Sequence, residues 1–120
     1  MEATARFAME PICRPLEAFD IQSFAAQQIP WMNQTLAPVN DCVVRVGVLE
    51  GEFHWHKHDE EDEFFFVLEG RLDIEFETHK VELNPGQSVL VPKGAMHFPT
   101  AVGRTVVLMM EGAGVIPTGD

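Results

Sequence analysis

Basic residues are scarce in this chain. Lys and Arg number 8 against 19 Asp and Glu, a formal net charge of −11 over 120 residues. Non-specific binding to nucleic acid or to an anionic membrane needs a basic face, so the balance argues against both kinds of partner. Cysteine is scarcer still: Cys13 and Cys42 are the full set of 2. They fit no paired metal-binding spacing and are too few for a disulfide framework. No apolar run approaches the roughly 20 residues that a membrane-spanning helix needs. The opening MEATARFAMEP has neither a basic n-region nor a long apolar h-region, so it does not read as a signal peptide. A cytoplasmic location with reduced thiols is the expectation. There is no low-complexity tract and no internal repeat.

What is present suits one globular domain: 46% of residues are hydrophobic and 22% charged. A domain of this length can bury most of its chain without a covalent staple. The expected division is an N-terminal arm with a short helix over 1–40, a β-barrel over 41–111 and a loosely packed tail over 112–120, one domain overall. Residues 1–18 read as an arm or edge segment. Asp20 can cap a helix that places Ile21, Phe24, Ala25 and Ile29 on one face and stops at Pro30. Trp31 to Pro38 reads as a connection.

From Asp41 onward the period changes to that of strands. Val43 to Leu49 is a β-branched run that ends near Gly51, and Phe53 to His58 reads as a second strand. Phe64 to Leu68 is apolar on both faces and asks for cover on both sides. In Arg71 to Glu77, Leu72, Ile74 and Phe76 should face inward, and Asp73, Glu75 and Glu77 outward. Val89 to Val91 and Val106 to Met110 are further strands, separated by the Pro/Gly-rich stretch from Pro92 to Gly103. Short strands with turn residues between them predict an antiparallel sandwich or barrel.

The segment His54-Trp55-His56-Lys57-His58 is the most informative in the chain. Residues two apart on a strand share a face, so the imidazoles of His56 and His58 can converge on one ion. Glu63 follows at the head of the next apolar run, and His97 comes later, after Pro92-Lys93-Gly94. Each alone has a bland reading. A His-x-His pair is often surface or core chemistry, and Glu63 ends the acidic run from Asp59, a solvated face by default. Three imidazoles and a carboxylate together suit divalent iron, manganese, nickel, copper or zinc better than calcium or magnesium. His54 shares parity with His56 and His58, which makes it the candidate acid/base or substrate contact, or a hydrogen-bonded rim residue. His79 falls in a hairpin turn and should face solvent.

The glycine and proline context of these residues resembles the cupin family. Gly51, His56, His58, Glu63 and Gly70 look like the first cupin motif, and Gly86, Pro92, Gly94 and His97 like the second. Four residues rather than the usual five separate Gly51 from His56, and Ala101 stands where the second motif often has Asn. Neither departure touches a ligand position. The resemblance covers about residues 41–111. The region of Trp31 and the closing Gly112 to Asp120 also look like small stand-alone cupins, often called mannose-6-phosphate isomerase-like on similarity alone. The resemblance implies an all-β, double-stranded β-helix (a jelly-roll barrel) with a short N-terminal helix. It also implies a metal held by His56, His58, Glu63 and His97 near one mouth, and a homodimer.

The function that follows is a metal-dependent enzyme, an oxygenase or a lyase/isomerase, acting on a small molecule. The alternatives are a small-molecule or metal sensor that works through a partner, and a structural metal site. Phe65 and Val67 share parity with Glu63, so with Leu72, Ile74 and Phe76 they make a mostly apolar lining, to which Met96, Met109 and Met110 can add. Arg45, Arg71 and Arg104 form no cluster to grip a sugar phosphate. A small organic acid, thiol or aromatic compound is the better expectation. Phe64, Phe66 and Leu68 point the other way and ask for a cover, which a second copy could supply.

Overall fold

Alternating apolar residues build the β-rich fold that they predict. The structure is a computed structural model that describes residues 6–120, so the first residues of the expected arm lie outside the described residues. The strands are β1 (Arg6–Ala8), β2 (Met32–Val39), β3 (Cys42–Glu52), β4 (Glu63–Glu69), β5 (Leu72–Phe76), β6 (Lys80–Leu83), β7 (Ser88–Val91) and β8 (His97–Gly112), with one helix, α1 (Ile21–Ala26). Strand β8 organises the rest. Its first part pairs with β5, and its second part lies between β3 and β4. One strand thereby serves two leaflets, β1-β2-β3-β8-β4-β7 and β6-β5-β8, which roll together without closing. This is the expected double-stranded β-helix with a short N-terminal helix.

Two apolar cores follow from strand parity. The inward faces carry Leu49, Phe65, Val67, Leu72, Ile74 and Val107. The outer face of β2 and β3 carries Met32, Leu36, Val46 and Val48, and is covered by Ala25 and Phe24 of α1 with Ile12 and Phe19 of the arm. Asp20 caps α1 by accepting a hydrogen bond from Ser23 N at 2.9 Å. The carbonyls of Ala25 and Gln28 at its far end accept from Arg104.

Several sequence expectations need correction. Trp31 to Pro38 is not a connection: Met32–Val39 is a full strand, paired with β1 on one side and β3 on the other. Its period was hidden because one face bears Asn33 and Thr35 while the other face is covered by the arm and helix. The helix ends at Ala26, and Ile29 lies beyond it, exposed. Phe53 to His58 is not a ladder strand and holds a single bridge, His56 to His97. Strand β8 begins at His97, inside the stretch read as irregular. Pro99 is tolerated there because the strand needs only its carbonyl, which accepts from Phe53 N at 3.0 Å. Asp73 faces outward as expected, but there it is covered and bonded to the Arg71 guanidinium at 2.8 and 3.1 Å. The tail is mostly exposed but has fixed points: Val115 is buried, and Asp120 N donates to Lys57 O at 2.9 Å. Cys13 and Cys42 are free thiols.

Gly70 sits at the β4–β5 turn with φ +83°, where a Cβ would lie 2.6 Å from the Arg104 carbonyl oxygen. Gly86, with φ +87°, has nothing within 4 Å of that position. A left-handed conformation costs a non-glycine residue roughly 1–2 kcal/mol. Gly86→Ala should lose about that much in urea unfolding, and Gly70→Ala clearly more, because backbone must move as well. Equal losses would contradict the packing at Gly70.

Candidate metal centre

The site begins with a two-bond bridge between distant parts of the chain. His56 N donates to His97 O at 3.0 Å, and His97 N donates to His56 O at 2.9 Å. This pair docks the extended 53–58 segment against the head of β8 and puts the two imidazoles side by side, their centroids 4.2 Å apart. Gly94 N donates to His58 O at 2.8 Å, so the Pro92–Gly94 bend fixes the second histidine of the segment. Gly94 has φ +82°, which only glycine adopts readily. Glu63 opens β4, where it faces Val91 on β7 and Glu111 on β8.

These elements bring His56, His58, Glu63 and His97 together, all buried, with one potential ligand atom from each lying within 4.8 Å of the others. Metal–ligand bonds of about 2.0–2.2 Å imply ligand–ligand separations of roughly 3–4 Å, so a small contraction would close the set around an ion. The imidazoles are already oriented. His56 Nδ1–H donates to His54 O and His97 Nδ1–H to Ala95 O, both at 2.9 Å. That tautomer leaves each Nε2 as a lone-pair donor, the arrangement that metal-binding histidines use. His97 Nε2, both ring nitrogens of His58 and Glu63 Oε1 are buried without a hydrogen-bond partner. Buried polar atoms are nearly always satisfied, and a cation would satisfy this set at one stroke. The donor chemistry and the unmet atoms both fit a divalent transition metal.

Electrostatics agree with this reading. Burial alone would raise the Glu63 carboxyl, but the close approach of His58, His97 and Glu111 outweighs it and holds the group below the ordinary carboxylate range. Burial pushes His56 down to about 4, against the bond to the His54 carbonyl and with help from His97. His56 is therefore neutral and ready to ligate in mildly acidic solution.

His54, the candidate acid/base, does not join the group. It is exposed at the rim, and its Nε2–H donates to Thr118 O of the tail at 2.8 Å. His79 is exposed, as expected, and stacks on Phe76. Two residues of the neighbourhood escaped sequence reasoning: Glu111 is buried beside Glu63, and Arg45 is buried against Glu111. The available signal was parity, since Glu111 continues the inward series Val107, Met109 on an apolar strand.

Beside the ligand group lies a narrow cleft of about 50 Å³. Trp31, Leu49, Phe53, Phe65 and Met109 make it apolar, and His56 and Glu63 also line it. Trp31 and Phe53 stack with centroids 5.4 Å apart. Pro117 of the tail lines the same cleft.

A half-rolled β-barrel with a buried group of three histidines and one glutamate that could hold a metal ion defines a class of small β-barrels. The family is shown by sequence: the cupin domain profile, Cupin_2, matches residues 42–111, and the chain belongs to this family. It is 42% identical over 80 residues to the uncharacterized protein YdbB of Bacillus subtilis, covering 66% of this chain and 71% of that one. It is 36% identical over 59 residues to the uncharacterized HTH-type transcriptional regulator YobQ of the same organism, covering 49% of this chain but only 24% of the regulator. Among solved structures, a cupin-2 domain protein from Shewanella frigidimarina superposes with a TM-score of 0.71 at 33% identity, covering 76% of this chain and 89% of that one.

The depressed His56 value sets a sign for stability. An unfolded chain protonates this histidine near 6.5, the folded chain only near 4. As pH falls through that window the unfolded state takes up the proton first, and the stabilisation present above it is lost. In the metal-free chain, held so by a chelator, melting temperature should fall more steeply from about pH 7 to about pH 4.5 for the parent than for His56→Gln. Parallel curves would show that His56 is not desolvated.

Proposed function

We propose that this cupin binds one divalent transition-metal ion through His56, His58, Glu63 and His97 and acts on a small, largely apolar molecule held in the adjoining cleft. One observation carries the reading: four ligating side chains converge in the interior with nitrogen and oxygen atoms that nothing in the protein satisfies. A bound ion with open positions would supply Lewis acidity or oxygen activation, the chemistry of a lyase, isomerase or oxygenase. The chain's own residues would do the rest. Trp31, Phe53 and Phe65 would strip water from the ligand, and Nδ1–H bonds to backbone carbonyls would keep His56 and His97 aimed. A sugar-phosphate isomerase is the poorer fit. Arg45, the inward-facing arginine beside the site, is committed to Glu111, Arg6 at the cleft wall bonds the Ile29 carbonyl, and most of the remaining wall is apolar.

The test is elemental analysis of the purified protein, then reconstitution with ferrous iron, manganese, nickel, copper and zinc separately. The parent should carry one ion per chain, and His58→Ala or His97→Ala should lose most of it, with affinity down at least about 100-fold if a ligand itself is removed. Unchanged metal content in both variants would sink the ligand assignment. Turnover of apolar small molecules by the reconstituted protein would identify an enzyme. Metal loss that lowers only the melting temperature, with no ligand found, would leave a structural ion.

A second reading, a ligand-binding sensor domain, is favoured by the similarity to part of a protein named as a transcriptional regulator. Ligand binding without turnover, whichever metal is loaded, would support it.

The reading includes a homodimer. Phe64, Leu90 and Met110 are cross-strand neighbours on β4, β7 and β8, and they are 39%, 56% and 46% exposed. An apolar strip across three strands of one sheet face suits a second copy. Sedimentation should show a dimer for the parent and a monomer for Leu90→Lys combined with Phe64→Glu. A monomeric parent would remove the dimer.

A further inference from the structure

Behind the ligand group lies a buried ion pair that the proposed function does not use. Arg45 Nη1 donates to Glu111 Oε2 at 2.7 Å, and both side chains are 1% exposed. Glu111 faces Glu63 directly across the β4–β8 ladder, and their carboxyl groups meet there. Arg45 comes from β3, where it opposes Met109, and reaches diagonally along β8 to Glu111. The clamp occupies one oxygen of Glu111. The other, Oε1, has no hydrogen-bond partner, and neither has Glu63 Oε1. Glu63 Oε1 in turn lies 3.4 Å from His58 Nε2 and 3.6 Å from His97 Nε2. A chain of contacts thus runs from Arg45 through Glu111 and Glu63 to two of the imidazoles.

Stability does not account for such a pair. Desolvating two charges costs about what their attraction returns, and apolar residues of similar volume often serve a core as well or better. Orientation does account for it. A carboxylate at the head of a strand has free rotamers, and a ligand must present one oxygen to the ion.

We propose that Glu111, clamped by Arg45, is a positioning residue that fixes the Glu63 carboxylate toward His58 and His97 and so sets the affinity and geometry of the metal centre. This inference rests on the metal-binding reading above. Glu111 itself ligates nothing; it acts through Glu63. Hydrogen-bonded partners of metal ligands commonly govern about 10–100-fold in affinity.

The experiment uses the full chain and cobalt(II) alone as the probe, with affinity read by competition against a chromophoric chelator and geometry by the visible d–d bands. Arg45→Met combined with Glu111→Leu removes the pair without leaving an unpaired buried charge. It should melt at or near the parent temperature, bind cobalt about 10–100-fold more weakly and show shifted bands. Glu111→Gln, which can still bond both neighbours, should keep more of the affinity than the double variant. Should the double variant fail to fold, Glu111→Asp decides. It keeps a carboxyl group but withdraws it from Glu63, and it should weaken cobalt binding and move the bands. Parent affinity and parent bands in a folded double variant, or in Glu111→Asp, would overturn the positioning role while the metal site stood. A parent that binds no cobalt would overturn the metal site and this inference together.

Discussion

The reciprocal pair of hydrogen bonds between His56 and His97 is the constraint on which the site depends. In sequence, 40 residues lie between His56 and His97, yet the bridge holds both ends of the ligand group in one frame. It explains why a segment that forms no ladder is still ordered. It also explains why β8 starts early. If the strand began at Val106, His97 would belong to a loop, and its imidazole would have no fixed relation to His56. A loop can be rich in ligands and still make a poor site, because orientation is what a rigid element supplies. Here the rigidity is borrowed from β8, the strand that both leaflets share.

The barrel interior then divides into two dielectric regimes. Ile74, Val67, Val107 and Leu72 are fully buried and purely apolar. A short distance away, Glu63, Glu111, Arg45 and three imidazoles are buried as well. Apolar packing holds the frame at a cost that the polar end does not share. The polar end has to be paid for by whatever satisfies it, and the orphaned atoms mark what the protein's own groups leave undone. The same burial that makes unpaired carboxylates and imidazoles costly also strengthens any interaction they do make. A cation arriving there meets a neutral His56 imidazole, because burial holds that group down to about 4, and a Glu63 carboxyl that the neighbouring side chains hold below the ordinary carboxylate range. The electrostatics are prepared for a positive guest.

How much of this was legible in the sequence can be judged residue by residue. The four members of the ligand group were readable, because their spacing is set by glycines and a proline whose backbone roles are local. Gly94 has to adopt positive φ whatever the rest of the chain does. The strand β2 was not readable. Its inner face carries Asn33 and Thr35 where alternation would call for apolar residues, and its outer face is apolar because an arm and a helix cover it. Both facts are tertiary. The burial of Asp73 was hidden for a similar reason: it faces outward as its parity predicts, and only the Arg71 guanidinium, two positions away on the same face, covers it there. Glu111 was half legible. Parity placed it inward, but nothing local says that the residue opposite is Glu63, since register is decided by how the two leaflets meet.

His54 sits apart from the four-residue group. Its ring stacks on Phe53 at 4.0 Å and its Nε2–H donates to Thr118 O, so parity with His56 and His58 did not carry it into that group. It holds the tail instead. Asp120 N reaches Lys57 O, and the Asp120 carboxylate accepts from Asp59 N at 2.5 Å. Gly119, at φ +99°, passes so near the site that a Cβ would lie 2.6 Å from His56 Cβ. Residues 115–120 therefore form part of the wall behind His56 and, through Pro117, part of the cleft beside it. What reaches the ligand group is shaped by both ends of the fold, by the Trp31–Phe53 stack on one side and by this strap on the other. That geometry is mostly apolar, with Arg6 and the four-residue group as its charged or titratable members.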